Sequence, residues 1–232
     1  VLGVPADDPR VRELSRAGMR SYLRYWCDTF RLPDWDERRV VDSVRVENAE
    51  LLFDTLAAGR GVIAALPHMG SWDHAGAWAA YVGAPVTTVA ERLEPEELYE
   101  RFVAYRESLG MEILPLTGGD RDVFRTLLHR ARQARLVPLL ADRDLTAGGT
   151  RVDFFGATAS MPSGPAVLAV ASGGALVPVT TRYEGTEPRH RLVITFHDEV
   201  VAPPEGSSRD KAATMMQQVA DVFGKAIAEH PE

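Results

Sequence analysis

The sequence contains a single cysteine, Cys27, among its 232 residues. One thiol cannot form an intramolecular disulfide, and it also excludes a zinc site that needs several cysteine ligands. A catalytic cysteine would need to be exposed beside a histidine, whereas Cys27 falls within a helical pattern rich in aromatic residues. We therefore expect Cys27 to be a core residue without a chemical role.

Long apolar runs and an excess of positive charge are also missing. No apolar run approaches the roughly 20 residues that a helix needs to span a bilayer, and no signal peptide is visible. The formal net charge of −7 argues against general nucleic-acid binding, so we predict no nucleic-acid partner. With 45% hydrophobic residues, the chain fits one domain with a sizeable core.

Several common catalytic signatures are absent. The sequence has no G-x-S-x-G nucleophile elbow, no dinucleotide fingerprint and no phosphate-binding loop that ends in G-K-S/T. A metallohydrolase pattern H-x-H-x-D-H would need histidines where Met69 and Ser71 stand. We therefore predict neither a metal nor a bound cofactor.

Strands and helices alternate along the chain. The predicted strands lie at 61–66, 86–90, 112–115, 136–141, 150–155, 175–182 and 191–197. The predicted helices lie at about 8–30, 47–58, 72–81, 96–109, 120–134, 163–172 and 208–229. This alternation predicts an α/β fold with a mostly parallel central sheet flanked by helices on both faces, and the last strand is expected to form an antiparallel edge.

The most informative segment is an apolar strand that runs into a turn carrying His68, with Asp73 five residues later. Open α/β sheets bind ligands at the carboxyl ends of their strands, which is where His68 is predicted to lie. Gly70 permits a sharp turn, and Ser71 is a good N-cap for a new helix with Asp73 in its first turn. If this turn brings Asp73 to His68, the carboxylate would hold the imidazole in one tautomer as a general base.

Further polar residues follow other predicted strands or end the next helix: Glu91, Arg106, Asp142, Arg143 and Asp144. Side chains on the same sheet edge as His68 are candidates for a shared site. Asp142 is a second candidate partner for His68, and Arg106 or Arg143 could bind a phosphate or stabilise negative charge. A surface ion pair is the competing explanation for each of them.

The first predicted helix has a basic stripe beside an apolar, aromatic face. The stripe consists of Arg12, Arg16, Arg20 and Arg24, and the face consists of Met19, Tyr22, Leu23, Trp26 and Phe30. Such a helix can dock its apolar face on the core, or it can lie on an anionic membrane surface. The pattern alone leaves both interpretations open.

Taken in order, these motifs resemble those of the glycerolipid and lipid A acyltransferases. His68-Met-Gly-Ser-Trp-Asp73 matches their H-x-x-x-x-D/E box, and Asp142-Arg-Asp144 resembles the D-x-D element of the lipid A lauroyl/myristoyl acyltransferase family. The sequences of these motifs are most similar to those of the actinobacterial branch of that family, the phosphatidylinositol mannoside acyltransferases. The supporting segments are RYW and FRLP within 24–33, ERLEPEELYERFVAYRESLG at 91–110, VDFFG at 152–156, MPSGP at 161–165 and VPV at 177–179.

This resemblance implies a fold like that of the glycerolipid acyltransferases and a function in glycolipid biosynthesis. A fatty acyl group, such as palmitoyl, would move from acyl-CoA to a mannose 6-hydroxyl of a phosphatidylinositol mannoside. The enzyme would be a peripheral protein on the cytoplasmic face of the plasma membrane, in contact with anionic lipid. Residues 1–232 are expected to form a single acyltransferase domain, and the prediction leaves room for a native segment before residue 1.

The resemblance also implies roles for individual residues. His68 is the general base, Asp73 belongs to the signature box, and Asp142 is a charge-relay partner. The substrate-binding candidates are Ser71, Trp72, Glu91, Arg106, Arg143 and Asp144. Trp72, Ala75, Trp78 and Ala79 are candidates for lining an acyl groove, with ordinary core packing as the equal alternative.

The sequence is also compatible with three other functions. The chain could acylate another glycolipid with a lipid A-like headgroup, or it could hydrolyse acyl-CoA as a thioesterase. It could also be an inactive lipid-binding module. Such a module would have no need to retain the His68/Asp73 box, and an assay with and without a glycolipid acceptor separates the other two.

Overall fold

The computed structural model describes residues 3–116, 123–144, 148–185 and 190–231. The helices within these ranges are α1 (Pro9–Arg31), α2 (Glu37–Asp42), α3 (Ala49–Ala57), α4 (Trp72–Tyr81), α5 (Glu96–Ser108), α6 (Val123–Arg132), α7 (Gly164–Ser172) and α8 (Ser208–Glu229), with a short 3₁₀ helix at Leu32–Asp34. The strands are β1 (Val44–Glu47), β2 (Val62–Leu66), β3 (Thr87–Ala90), β4 (Glu112–Pro115), β5 (Leu136–Leu140), β6 (Thr150–Phe154), β7 (Ala157–Met161), β8 (Ala175–Glu184) and β9 (Arg191–Phe196).

The central sheet has the strand order β1-β9-β8-β2-β5. Only the β8/β9 pair in this sheet is antiparallel, and the other neighbours are parallel. The parallel pair β3/β4 continues this order beyond β5, where Val86 forms a bridge to Leu136. Pro138 has no N–H to extend the ladder towards β3, and the Thr88 hydroxyl donates to the Pro138 carbonyl instead.

Helices cover both faces of this sheet, as predicted. Val62, Ala64 and Leu66 of β2 pack into the core that includes residues of α3 and α4, while Ile63 and Ala65 pack into the core formed with α6, α7 and α8. Because strand side chains alternate between faces, one fully apolar strand serves two cores. The prediction of an α/β fold with a mostly parallel sheet is confirmed.

Several details of the predicted fold differ from the structure. The last strand is antiparallel to β8 as predicted, but it is not an edge, because β1 lies outside it. The short elements β1, α2 and β7 were not predicted: β1 has only four residues, two of them charged, and β7 closes a hairpin with β6. Residues 120–122 of the predicted helix 120–134 lie outside the described residues, and α6 is described from Val123.

The first helix buries only Tyr25, Asp28 and Thr29 of its 23 residues. Cys27 is exposed, so the prediction of a core cysteine is wrong. At about 100° per residue, Cys27 lies on the side of the helix that carries the basic stripe, which explains its exposure.

The apolar face of α1 also points away from the core. Met19, Tyr22, Leu23 and Phe30 are each between 54% and 72% exposed. A single unpaired apolar side chain on a surface needs no explanation, but a row of them along one helix face does. The structure therefore contradicts the interpretation in which this face docks on the core. Among the described helices, none is both long enough and apolar enough to cross a bilayer.

Candidate active site

The candidate site is created by the register between two neighbouring parallel strands. Leu66 of β2 pairs with Leu140 of β5, so His68 and Asp142, each two residues farther on, leave the sheet side by side. His68 Nδ1 lies 2.6 Å from Asp142 Oδ1, and the backbone N–H of His68 donates to Asp142 Oδ2 at 3.1 Å. Both oxygens of one carboxylate thus hold one histidine.

This contact fixes the orientation of the imidazole. With Nδ1–H donating to the Asp142 carboxylate, Nε2 carries a lone pair and can accept a proton. Burial alone would raise the pKa of Asp142, but the hydrogen bonds from the His68 ring and backbone outweigh it and hold this pKa below its ordinary value. The His68 side chain is 35% exposed, so a substrate hydroxyl can reach it. The geometry meets the requirements of a general base with an acidic partner.

The turn after His68 is tightly constrained. Gly70 has φ +59°, and a Cβ at this position would collide with the backbone and hydroxyl of Thr181. The Thr181 hydroxyl donates to the Met69 carbonyl at 2.6 Å, which ties the turn to β8. Ser71 then caps α4 by accepting from the His74 N–H, as predicted. Strand, turn and capped helix together position His68 at the sheet edge.

Asp73 does not make the contact with His68 that the five-residue spacing suggested. It is buried in the first turn of α4, where its Oδ1 accepts from Arg106 Nε at 2.7 Å and its Oδ2 accepts from the Tyr25 hydroxyl at 2.9 Å. Burial lowers the pKa of Arg106, but the charge and hydrogen bond of Asp73 outweigh it and raise this pKa. Burial and the Asp73 charge raise the pKa of Tyr25. Asp73 is therefore the centre of a buried polar contact between α1, α4 and α5.

The remaining predicted residues occupy different environments. Glu91 and Arg143 are exposed beyond the ends of β3 and β5, and the backbone N–H of the half-buried Asp144 donates to the Ser160 carbonyl at 2.8 Å. Because Arg106 is paired with Asp73, its Nε is already used within the protein. The structure thus brings His68 and Asp142 together, and it brings Arg106 and Asp73 together as a second group.

The aromatic residues of α4 divide between the site and the core. The Trp72 ring is half-buried, with its centroid 5.5 Å from that of His68. Trp78 and Ala79 are buried in the core, so the core-packing alternative holds for these two residues.

One feature of the site was missed in the sequence. Leu93, Leu116 and Leu140 are exposed at the carboxyl ends of β3, β4 and β5, on the side of His68 away from β8. Apolar side chains at the end of a strand or within three residues of it, where polar loop residues are usual, are the signal that could have found them. Exposed apolar groups beside the candidate site can contact an acyl chain.

A shallow polar cavity that is wide open to solvent lies at the same edge of the sheet on the opposite side. Because β9 and β1 run antiparallel to β8, their first residues lie at the edge where β2 and β8 end. The cavity has a volume of about 600 Å³ and is lined by Asp36, Arg38, Arg39, Asp42, Ser43, His190 and Arg191. Among the described residues, no group of three or more histidine, cysteine or acidic side chains could hold a metal ion.

Comparisons with known proteins give a consistent result. The profile of the bacterial lipid A biosynthesis acyltransferase family matches residues 1–232. A phosphatidylinositol mannoside acyltransferase of Mycolicibacterium smegmatis is 46% identical over 227 residues, which is 98% of this chain and 71% of the relative. Phosphatidylinositol mannoside acyltransferases from two strains of Mycobacterium tuberculosis are 46% identical over 237 aligned positions, which cover 100% of this chain and 71% of each relative.

The ion pair between the buried Asp73 and the half-buried Arg106 generates the first prediction. Arg106→Gln should lower the free energy of unfolding by about 3–5 kcal/mol, because it leaves the buried Asp73 carboxylate without its counter-ion. Denaturant unfolding of Asp73→Asn, Arg106→Gln and the double variant measures this coupling. The double variant should lose much less stability than the two single losses combined, and simple additivity would contradict the pairing.

The lowered pKa of Asp142 generates a prediction about pH. A carboxyl group whose folded pKa lies below its unfolded value stabilises the protein above the ordinary pKa, about 3.9, and this stability is lost as the pH falls through the folded pKa. The stability difference between the wild type and Asp142→Asn should therefore grow as pH rises from the acid range towards neutrality. Asp142→Glu, which keeps the charge, is the control. A difference that is constant with pH would contradict the assignment.

Proposed function

This chain belongs to the bacterial lipid A biosynthesis acyltransferase family, and we propose that it transfers a fatty acyl group, such as palmitoyl, from acyl-CoA to a mannose 6-hydroxyl of a phosphatidylinositol mannoside. The names of its mycobacterial relatives support this acceptor. The observation that carries the mechanism is the contact between His68 and Asp142, which gives an exposed histidine base an acidic partner. The nucleophile is then the hydroxyl group of the substrate.

The proposed reaction is a direct transfer with His68 as base and then acid. Nε2 of His68 removes the proton of the mannose hydroxyl while the hydroxyl oxygen attacks the thioester carbon. Asp142 stabilises the imidazolium that forms. When the tetrahedral intermediate collapses, the carbon–sulfur bond breaks and His68 returns the proton to the sulfur of CoA. The products are the acyl ester and free CoA, and no covalent enzyme intermediate forms.

The start of α4 is well placed to stabilise the oxyanion of that intermediate. Its first backbone N–H group, that of Trp72, comes four residues after His68, and a helix N-terminus carries a partial positive charge. Ser71 caps this turn with its side chain, so its role is to shape the turn that presents these amides.

The two sides of the catalytic edge suit the two substrates. Exposed Leu93, Leu116 and Leu140 on one side provide apolar contacts for an acyl chain. The arginine, aspartate and serine side chains of the polar cavity on the other side provide donors and acceptors for a sugar phosphate headgroup.

Membrane association is part of the proposal because both the acceptor and the product are lipids. The exposed apolar face of α1, with Arg12, Arg16 and Arg20 exposed beside it, supports binding of this helix at an anionic membrane surface. A peripheral position on the cytoplasmic face of the plasma membrane is consistent with an acyl-CoA donor. Contact through α1 would hold the catalytic edge close to the lipid headgroups.

Two other reactions use the same residues and are outcomes of the same assay. Transfer to a lipid A-like glycolipid would need the same base, and water in place of a sugar hydroxyl would make the protein an acyl-CoA thioesterase. An inactive lipid-binding module would release no CoA.

The test is release of CoA thiol from palmitoyl-CoA, with and without phosphatidylinositol dimannoside, together with mass spectrometry of the lipid. Wild-type protein should add one acyl group in an acceptor-dependent reaction. His68→Ala should reduce the rate by at least about 10²-fold, because it removes the general base. His129→Ala, an exposed histidine on α6, is the matched control and should retain activity.

Each other outcome of this assay has a distinct meaning. Equal CoA release without acceptor would support a thioesterase, and acylation of only another glycolipid would change the acceptor. Wild-type turnover by His68→Ala would contradict the proposed mechanism.

The membrane proposal is tested by co-sedimentation with liposomes that contain anionic phospholipid. Replacing Arg12, Arg16, Arg20 and Arg24 by Gln should weaken binding by at least about tenfold, since each basic residue near an anionic surface contributes about 1 kcal/mol. The control removes four positive charges elsewhere, at Arg101, Arg151, Arg209 and Lys225, which are exposed. Equal losses in both variants would mean that α1 has no special role.

A further inference from the structure

A chain of three aromatic rings connects α1 to the catalytic histidine. The Tyr25 and Trp72 centroids are 4.6 Å apart with an interplanar angle of 33°, and Trp72 meets the His68 ring edge-on at 5.5 Å and 78°. Tyr25 is buried, whereas His68 is partly exposed. Trp72 therefore has a rigid, buried ring on one side and the imidazole on the other.

Tyr25 also contacts the first turn of α4 through its hydroxyl. This hydroxyl donates to Asp73 Oδ2 at 2.9 Å, and Asp73 directly follows Trp72 in the chain. The ring and the hydroxyl of one side chain thus hold two consecutive residues of the turn that presents His68. A second polar contact of α1, between Asp28 Oδ2 and His190 Nε2 at 3.3 Å, fixes the same side of the helix.

Tyr25 lies on the opposite side of α1 from the exposed apolar face. At about 100° per residue, Tyr25 and Asp28 point away from the direction shared by Met19, Leu23 and Phe30. Because only three residues of α1 are buried, few apolar contacts hold the helix on the rest of the protein. The position of the helix therefore depends on Tyr25 and its polar neighbours.

We propose that Tyr25 is a positioning residue, which orients the His68 imidazole through Trp72 and Asp73 and makes the catalytic base depend on the docking of α1. This inference depends on the proposed function only for the expected changes in kcat and in the pH profile. The orientation of His68 towards Asp142 is a property of the protein without substrate. The tilted Tyr25 ring, packed at 4.6 Å, restricts the neighbouring Trp72, and Trp72 in turn restricts His68 to the rotamer that meets Asp142.

The test compares Tyr25→Leu, which removes the ring, with Tyr25→Phe, which keeps the ring and loses the hydroxyl. Loss of an aromatic pair contact corresponds to about a 3- to 10-fold fall in kcat for Tyr25→Leu, with KM unchanged. Tyr25→Phe should recover most of this loss. Tyr81→Phe, on a half-buried tyrosine at the end of α4, is the matched control and should behave as wild type.

A second readout needs no substrate. The short hydrogen bond from the His68 Nδ1–H to Asp142 should give a downfield proton resonance in NMR spectra, which is assigned by its loss in His68→Ala and Asp142→Asn. The resonance should disappear in Tyr25→Leu and persist in Tyr25→Phe. The acid limb of the kcat/KM profile of Tyr25→Leu should also move to lower pH, because a weakened contact with Asp142 stabilises the imidazolium less.

A folded Tyr25→Leu that keeps both the resonance and the wild-type kcat would overturn the inference. Loss of activity with an unchanged resonance and pH profile would also overturn it, since that result indicates a purely structural role. If Tyr25→Leu does not fold, Trp72→Leu takes its place, and an unchanged resonance in that variant would be equally decisive. If the wild type transfers no acyl group, the proposed function fails, and the resonance still tests the orientation of His68.

Discussion

The parallel register between β2 and β5 is the constraint on which the site depends. It places His68 and Asp142, which are 74 residues apart in sequence, within hydrogen-bond distance at one sheet edge. Two features hold His68 at this edge. The apolar strand β2 is packed on both faces, and Gly70 lets the chain turn sharply against Thr181. A side chain at Gly70 would push the turn away from β8 and move His68 from its partner.

Asp73, the acidic residue of the box, has a different task from Asp142. Asp73 is buried and paired with Arg106 and Tyr25, so its charge joins three helices instead of serving the imidazole. Removing either partner of such a buried pair leaves an uncompensated charge, which is why the pair is expected to couple strongly. The H-x-x-x-x-D spacing therefore combines the proposed base, His68, with a residue that fixes the start of the helix behind it.

Local patterns in the sequence predicted most of the fold and only part of the site. The apolar run of β2, the Ser71 cap and the alternation of elements are short-range signals, and each led to the observed structure. The partner of His68 could not be chosen between Asp73 and Asp142, because that choice depends on which strand lies beside β2. The exposure of Cys27 and of the apolar face of α1 was equally undetermined, since a single helix pattern does not say which side meets the core.

In the proposed reaction the protein supplies the base and the substrate supplies the nucleophile. The most direct test is rapid-quench mass spectrometry of the intact protein during turnover with palmitoyl-CoA and the mannoside acceptor. Direct transfer leaves the protein mass unmodified at every time point while the acylated lipid accumulates. A protein adduct with the mass of one acyl group, formed and consumed at the rate of turnover, would contradict it.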